Sequence, residues 1–132
     1  METLQHPITV FWLCVLMHLI ADYNLQGILS DLKQSSWWNE QLSKAQIRNI
    51  DKYAFDFIAG PGCHALMWSI MTCLPLLLVV SPVVFSICVL ANTVVHGVVD
   101  HMKANMYLIN LCQDQVLHLI QIAVTVVILE TI

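Results

Sequence analysis

Long apolar runs separated by polar intervals divide the chain into four segments of membrane-span length. In chain order they are residues 7–26, 63–80, 83–102 and 112–129. A helix that crosses a bilayer needs about 20 mainly apolar residues, and each run is close to that length. Because the second and third connections are short, the pattern predicts an all-α, up-down-up-down bundle of four transmembrane helices. The whole chain, residues 1–132, is then a single membrane domain.

The interval between the first two runs, residues 27–60, has a different pattern. From Lys44 to Ile58, apolar residues recur at helical spacing and charged residues occupy the positions between them. This is typical of an amphipathic helix that lies in the membrane interface, and a helix packed on a soluble partner is the alternative. Pro61-Gly62 predicts a break in the chain before the second span.

Composition favours lipid as the surrounding solvent. The chain is 58% hydrophobic and 11% charged, with a mean hydropathy of +0.74. Soluble domains carry about 25% charged residues, so this chain cannot cover its surface with polar groups. Its net charge of −4 argues against nucleic-acid binding, which uses basic patches. The five cysteines lack CxxC spacing, which disfavours a disulfide framework, and the N-terminus lacks the features of a cleaved signal peptide.

Histidine and aspartate recur four residues apart near the ends of the apolar runs. The pairs are His18 with Asp22, His96 with Asp100 and, in reverse order, Asp114 with His118. Residues with this spacing lie on one face of a helix, one turn apart. In an antiparallel bundle all three pairs lie on one side, where His64, at the start of the second span, joins them. The reversed order in the fourth span then places the three histidines in one layer and the aspartates about 6 Å nearer the surface.

Three carboxylates and four histidines inside a bilayer predict a bound cation. One carboxylate at the bilayer centre costs ~2.5–3.5 kcal/mol, and imidazole with carboxylate suits divalent zinc, or manganese or iron. The predicted ligands are His18, Asp22, His64, His96, Asp100, Asp114 and His118. Either two ions share them, ~3.5–4 Å apart, or some of them orient the ligands of one ion. Two alternatives stay open, namely hydrogen-bonded helix contacts and a proton or ion pathway.

Five further polar residues are assigned by position. Gln26 and Gln115 flank the predicted ligands and are expected to orient them. Lys103 follows Asp100 by about one turn and either reaches the interface or meets an anionic group of a substrate. Lys103 and His64 are the catalytic candidates, and His64 is either a metal ligand or a general base. His6 and His101 fall outside the pattern and are expected at the surface.

The basic residues predict the orientation. All five lie in the first and third connections: Lys33, Lys44, Arg48, Lys52 and Lys103. By the positive-inside rule these connections, including segment 27–60, are cytoplasmic. Both termini then face outward, and the metal site opens toward the cytoplasm.

In this order the motifs resemble a family of small bacterial and phage integral membrane proteins catalogued as a domain of unknown function. The motifs are HxxxD[FY]xxQ at 18–26, a later lysine at Lys33, the lone His64, HxxxDxxK at 96–103 and DQxxH at 114–118. The likeness covers nearly the whole chain, and it implies a multi-pass protein of the bacterial inner membrane. A more distant likeness, to membrane-bound metal-dependent hydrolases, implies hydrolysis by analogy.

Three functions are compatible with these patterns. The first is a metal-dependent hydrolase acting on an amphipathic or lipid-linked phosphoester at the cytoplasmic leaflet, where Lys33 and Lys103 neutralise substrate charge. The second is proton or ion translocation, which needs a polar path into the other leaflet, where the runs are almost wholly apolar. The third is a phage-type membrane protein with a structural metal that blocks a host system through its cytoplasmic loop, which an exposed Trp37-Trp38 pair and the amphipathic helix would fit. The expected protein partner is a host membrane protein or, in a homo-oligomer, a second copy of the chain.

Overall fold

The computed structural model describes residues 6–47 and 53–131, and this part of the chain is helical apart from short turns. Its helices are α1 (Pro7–Tyr23), α2 (Leu29–Leu32), α3 (Ser35–Lys44), α4 (Ala54–Cys73), α5 (Pro82–Ala104) and α6 (Leu111–Glu130). A 3-10 segment, Leu74–Leu78, continues α4. The prediction of an all-α protein is therefore confirmed for the described residues.

The four long helices surround one interior. α4 packs against α1 and α5, α6 packs against the same two helices, and the short α2 lies on α4. The apolar part of the interior contains Val10, Cys14, Leu76, Ile122 and Val126, all buried.

The outer faces of these helices are apolar as well. Trp12, Val94 and Val127 are each at least 60% exposed, and surfaces of this kind mark contact with a membrane or another protein. Three helices are long and apolar enough to cross a membrane: Ile58–Leu78, Pro82–Ala104 and Leu111–Glu130. α1 is apolar but shorter, with 17 residues and a length of about 25 Å. These features indicate membrane association.

The predicted break at Pro61-Gly62 is wrong. α4 begins at Ala54 and continues through Pro61, as membrane helices can when neighbouring groups satisfy the freed backbone atoms. Gly60 instead serves close packing, because a Cβ there would lie 2.7 Å from the carbonyl oxygen of Leu32. The corresponding candidate span therefore begins near Ile58, not at residue 63, and His64 lies well inside the helix rather than in its first turn.

The predicted amphipathic helix from Lys44 to Ile58 is also wrong. α3 ends at Lys44, and Gln46 adopts a left-handed φ of 55°, which stops the helix. Residues 48–52, including Arg48 and Lys52, lie outside the described residues. Beyond them Ala54 already belongs to α4. The apolar spacing therefore combined the end of α3 and the start of α4 into one predicted helix.

The tryptophan pair lies on α3 and is half-buried, whereas the sequence analysis expected it to be exposed. The rings of Trp37 and Trp38 meet edge to face with centroids 5.1 Å apart. The Trp38 indole N–H donates to the carbonyl oxygen of Leu32 at 2.8 Å. Trp38 therefore links α3 to the end of α2.

The other boundaries lie close to those expected. The predicted runs 83–102 and 112–129 correspond to α5 and α6, whereas the first run ends early, since α1 stops at Tyr23 and Gln26 lies beyond it. α6 starts in a capping box, in which the Asn110 side chain accepts from the backbone of Gln113 and the Gln113 side chain accepts from the backbone of Asn110. This box satisfies free N–H groups in the first turn of α6, the turn that carries Asp114.

Candidate metal centre

Three buried imidazoles from three helices meet at His96. Its Nδ1 lies 3.2 Å from Nδ1 of His118, and its Nε2 lies 3.3 Å from Nε2 of His64. His96 and His118 are 0% exposed, and His64 is 3% exposed. Because neutral imidazole has only one N–H, a single His96 ring cannot donate to both neighbours. His64, His96 and His118 therefore form one interdependent set, here called the histidine triangle.

Asp100 faces all three rings of the histidine triangle. Its Oδ2 lies 3.0 Å from Nε2 of His64 and 3.5 Å from Nε2 of His96, and its Oδ1 lies 3.7 Å from Nε2 of His118. Since this carboxylate is nearly buried, with 5% of the residue exposed, its charge needs compensation close at hand.

The compensation includes a buried lysine from outside the long helices. Lys33 follows α2, and its Nζ donates to Oδ2 of Asp100 at 3.0 Å, although only 9% of the lysine is exposed. Asn105, at the end of α5, holds this segment in place. It donates to the carbonyl oxygen of Lys33 at 3.0 Å and accepts from the backbone N–H of Ser35 at 2.8 Å.

Asp114 forms the second ion pair of the site. Its Oδ2 accepts from Nζ of Lys103 at 2.6 Å and from Nε2 of Gln115 at 3.2 Å. Its Oδ1 lies 3.4 Å from Nε2 of His118, and neither of these buried atoms makes a hydrogen bond within the described part of the chain. At this distance the two groups form an ion pair when His118 is protonated, and Asp114 belongs to neither group of described side chains that could hold a metal ion.

His18 is engaged at both ring nitrogens. The Trp68 indole N–H, which can only donate, donates to Nδ1 of His18 at 2.9 Å. A neutral His18 therefore carries its proton on Nε2, which lies 3.2 Å from Oε1 of Gln115. In this arrangement His18 links Trp68 to Gln115 and has no free nitrogen for a metal.

Trp68 is a site residue that the sequence analysis did not single out. Its ring stacks on His96 with centroids 4.0 Å apart and planes 15° apart, and it is 1% exposed. The signal was present in the sequence, because Trp68 follows His64 by four residues and so shares its helix face.

Asp22 joins the cluster by accepting hydrogen bonds from two side-chain amides. Gln115 Nε2 donates to its Oδ2 at 3.1 Å, and Gln26 Nε2 donates to its Oδ1 at 3.1 Å. Gln115 thus bridges Asp22 and Asp114. Both glutamines contact predicted ligands, which is where an orienting residue must lie.

Two sets of side chains in this cluster could hold a metal ion. One is His96, Asp100 and His118, all buried; the other is Asp22, His64 and His96. In each set the ligand atoms lie within 4.8 Å of one another. His96 belongs to both sets, so two ions sharing the cluster would compete for its ring or use its two nitrogens separately.

All seven predicted ligands therefore lie in one connected cluster, in which His18 is bonded at both ring nitrogens. Lys103 contacts Asp114 rather than the Asp100 that precedes it on α5. His101 is exposed and contacts Asn105, and His6 caps α1, so both lie outside the cluster as expected.

The chain matches no protein-family model, no curated protein and no solved structure. The motif likeness described above therefore stays a prediction, and function has to be argued from the cluster itself.

Proposed function

We propose that this protein is a four-span membrane protein that binds a divalent metal ion, zinc in the first instance, inside its helix bundle. The observation that carries the proposal is the meeting of His96, Asp100 and His118 within 4.8 Å. Two imidazoles and a carboxylate are a ligand set suited to zinc, manganese or iron. Three protein ligands leave a coordination position for water.

The topology belongs to the same proposal. α1 joins the three longer helices as a fourth span, with Asn24 to Gln26 extending toward the headgroups, and the helices alternate in direction. The positive-inside rule places Lys33 and Lys103 on the cytoplasmic side. The metal centre then faces the cytoplasm of a bacterial inner membrane, and both termini face outward.

The chemistry we propose is hydrolysis of a phosphoester carried by a lipid or another amphipathic molecule. A divalent metal lowers the pKa of its bound water and polarises a phosphoryl oxygen. His64, 3.0 Å from Asp100, is placed to act as a further ligand or to accept the proton of the attacking water. Lys33 and Lys103 pair with Asp100 and Asp114, and each would supply a positive charge to a phosphate group once released from its carboxylate.

Hydrolysis is tested with detergent-purified protein in mixed micelles that contain a lipid phosphomonoester, with zinc present or removed by a chelator. We expect phosphate release that requires metal and that falls at least about a hundredfold in Asp100→Asn. His101→Ala, an exposed histidine beside Asp100 that lies outside the cluster, is the matched control and should keep full activity. Bound metal without phosphate release from any lipid phosphoester would leave a metal-binding protein and refute the hydrolase.

A further inference from the structure

The connection between α5 and α6 exposes apolar side chains at the end of the bundle that carries the ion pair of Lys103 and Asp114. Three consecutive residues, Met106, Tyr107 and Leu108, are 51%, 76% and 59% exposed. Leu111, which begins α6, is 56% exposed. A run of exposed apolar residues of this length is unfavourable on a surface that faces water unless it has a function. These four residues are here called the apolar loop.

The asparagines around the apolar loop are engaged within the protein. Asn105 donates to the carbonyl oxygen of Lys33 and accepts from the backbone N–H of Ser35. Asn110 accepts from the backbone N–H of Gln113 at 3.0 Å and so caps α6. No charged residue occurs between positions 104 and 113. The connection therefore offers water few free polar side chains, and what it exposes is mostly apolar.

The backbone fixes the apolar loop in this arrangement. The carbonyl oxygens of His101 and Met102 accept from the N–H groups of Met106 and Leu108 at 3.1 and 2.9 Å, respectively. Tyr107 adopts a left-handed φ of 56°, which bulky side chains rarely adopt and which costs free energy. The chain therefore holds these apolar side chains outward in a defined turn, at the cost of backbone strain.

The apolar loop is continuous with an apolar stripe along α6. Val116, Ile120, Val124 and Ile128 are spaced four residues apart, and each is between 48% and 51% exposed. Residues at this spacing lie on one face of a helix. The exposed Cys112 extends the stripe into the first turn, next to the loop. Because α6 is long and apolar enough to cross a membrane, lipid is the expected cover of this stripe and of the loop that continues it.

The connection between α1 and α2 has the same character. Its Leu25 and Ile28 are 53% and 64% exposed. This connection lies at the same end of the bundle as the apolar loop, because Gln115, near the start of α6, donates to Asp22, near the end of α1, at 3.1 Å. Two separate connections therefore expose apolar side chains at the end of the bundle where the metal centre opens.

We propose that the apolar loop is immersed in the headgroup region of the bilayer, so that the metal centre opens among lipid headgroups and not into the aqueous cytoplasm. Tyrosine is enriched at this level of a membrane, and exposed apolar side chains there enter the boundary between headgroups and acyl chains. Lys103 and Asp114, which precede and follow the loop and pair at 2.6 Å, then lie near the headgroups as well. An amphipathic ligand reaches such a site without leaving the bilayer. This placement does not rest on hydrolysis.

The test attaches a nitroxide spin label to Leu108→Cys in protein reconstituted into phospholipid vesicles. The cysteines that are not buried, Cys63, Cys88 and Cys112, are first replaced by alanine. Collisions of the label with oxygen, which dissolves in lipid, are compared with collisions with a nickel chelate, which stays in water. Labels at Ile120→Cys and Glu40→Cys, whose side chain is 60% exposed on α3, give the references for lipid and water. We expect an oxygen-to-nickel ratio at Leu108 several-fold above that at Glu40.

No metal and no substrate are added in these measurements. Failure of this placement and failure of the hydrolase are therefore distinguishable.

An oxygen-to-nickel ratio at Leu108 equal to that at Glu40 would place the loop in water and overturn the proposal. Exclusion of both reagents from Leu108 would overturn it as well, because another protein or a second copy of the chain would then cover the loop in place of lipid. A label at Met106→Cys gives a second measurement that does not depend on the Leu108 substitution. It should also give a ratio several-fold above that at Glu40, and a ratio equal to that at Glu40 at both positions refutes the immersion of the loop.

Discussion

The ammonium group of Lys33 lies 3.0 Å from Oδ2 of Asp100, in the interior of the bundle and at the same carboxylate that faces His64 and His96. A metal ion bound by Asp100 would occupy the same surroundings as this lysine. Lysine and metal would therefore compete for one carboxylate. Metal binding would release Lys33 from its ion pair and leave it free to meet an anionic group.

Lys33→Met tests this competition. Removing a positive charge next to Asp100 should raise affinity for zinc by at least about tenfold, since 1.4 kcal/mol is a factor of ten and close charges interact by several kcal/mol. The metal-free protein should lose about 3–5 kcal/mol of stability, because the variant leaves a buried carboxylate unpaired. Chelator competition measures the affinity, and thermal unfolding in detergent measures the stability.

Lys44→Met is the control for Lys33→Met. Lys44 also pairs with a carboxylate, that of Glu40, but both side chains are about 60% exposed or more, and such pairs contribute little. It should change neither measurement. Unchanged or weaker zinc binding in Lys33→Met would show that lysine and metal do not share Asp100.

Trp68→Phe separates the stacking of this ring from its hydrogen bond. Phenylalanine keeps an aromatic ring against His96 but removes the N–H that fixes the proton of His18. The N–H reaches the proposed ligands only through His18 and Gln115, so we expect zinc affinity to fall by less than the about 10–100-fold caused by loss of a ligand's own orienting partner. Trp12→Phe, on the 62% exposed face of α1, should bind zinc as the wild type does. Equal affinities in the two variants would show that the Trp68 N–H does not contribute to zinc binding.

Gly60→Ala tests how α2 is held against α4. The added methyl group would lie 2.7 Å from the carbonyl oxygen of Leu32, so α2 must move, and Lys33 at its end must move with it. We expect a loss of about 1–3 kcal/mol of stability together with altered zinc affinity. Gly62→Ala has open space and should be neutral or slightly stabilising. Wild-type thermal stability in Gly60→Ala would contradict the close approach.

Contacts between residues close in the sequence could be predicted, whereas contacts between distant segments could not. The spacing of His96 and Asp100 is a property of one helix, so the sequence alone indicates that they share a face. The reversed order of Asp114 and His118 predicts that their helix runs antiparallel to the helix with His96 and Asp100. In the structure Nε2 of His118 lies 3.7 Å from Oδ1 of Asp100.

The features that were missed depend on contacts between distant segments. Nothing near Lys33 in the sequence shows that Asn105 would hold its backbone and turn its side chain inward. The Gly60-Pro61 pair is usual at chain breaks, and only the approach of α2 explains a glycine inside α4. The hydrogen bonds from Gln121 on α6 to Asn92 on α5 could not be predicted from the sequence. Each residue is isolated in an apolar run, and the bonds form only because the two helices pack side by side.

The central claim is that the histidine triangle and its carboxylates bind a metal ion inside the bundle. It is tested most directly by elemental analysis of detergent-purified wild-type protein, His96→Ala and His101→Ala, prepared side by side after exposure to zinc and removal of the excess. The wild type and His101→Ala should carry the same stoichiometric amount of metal, and His96→Ala should carry little or none. Equal metal content in all three proteins would contradict a metal centre at His96.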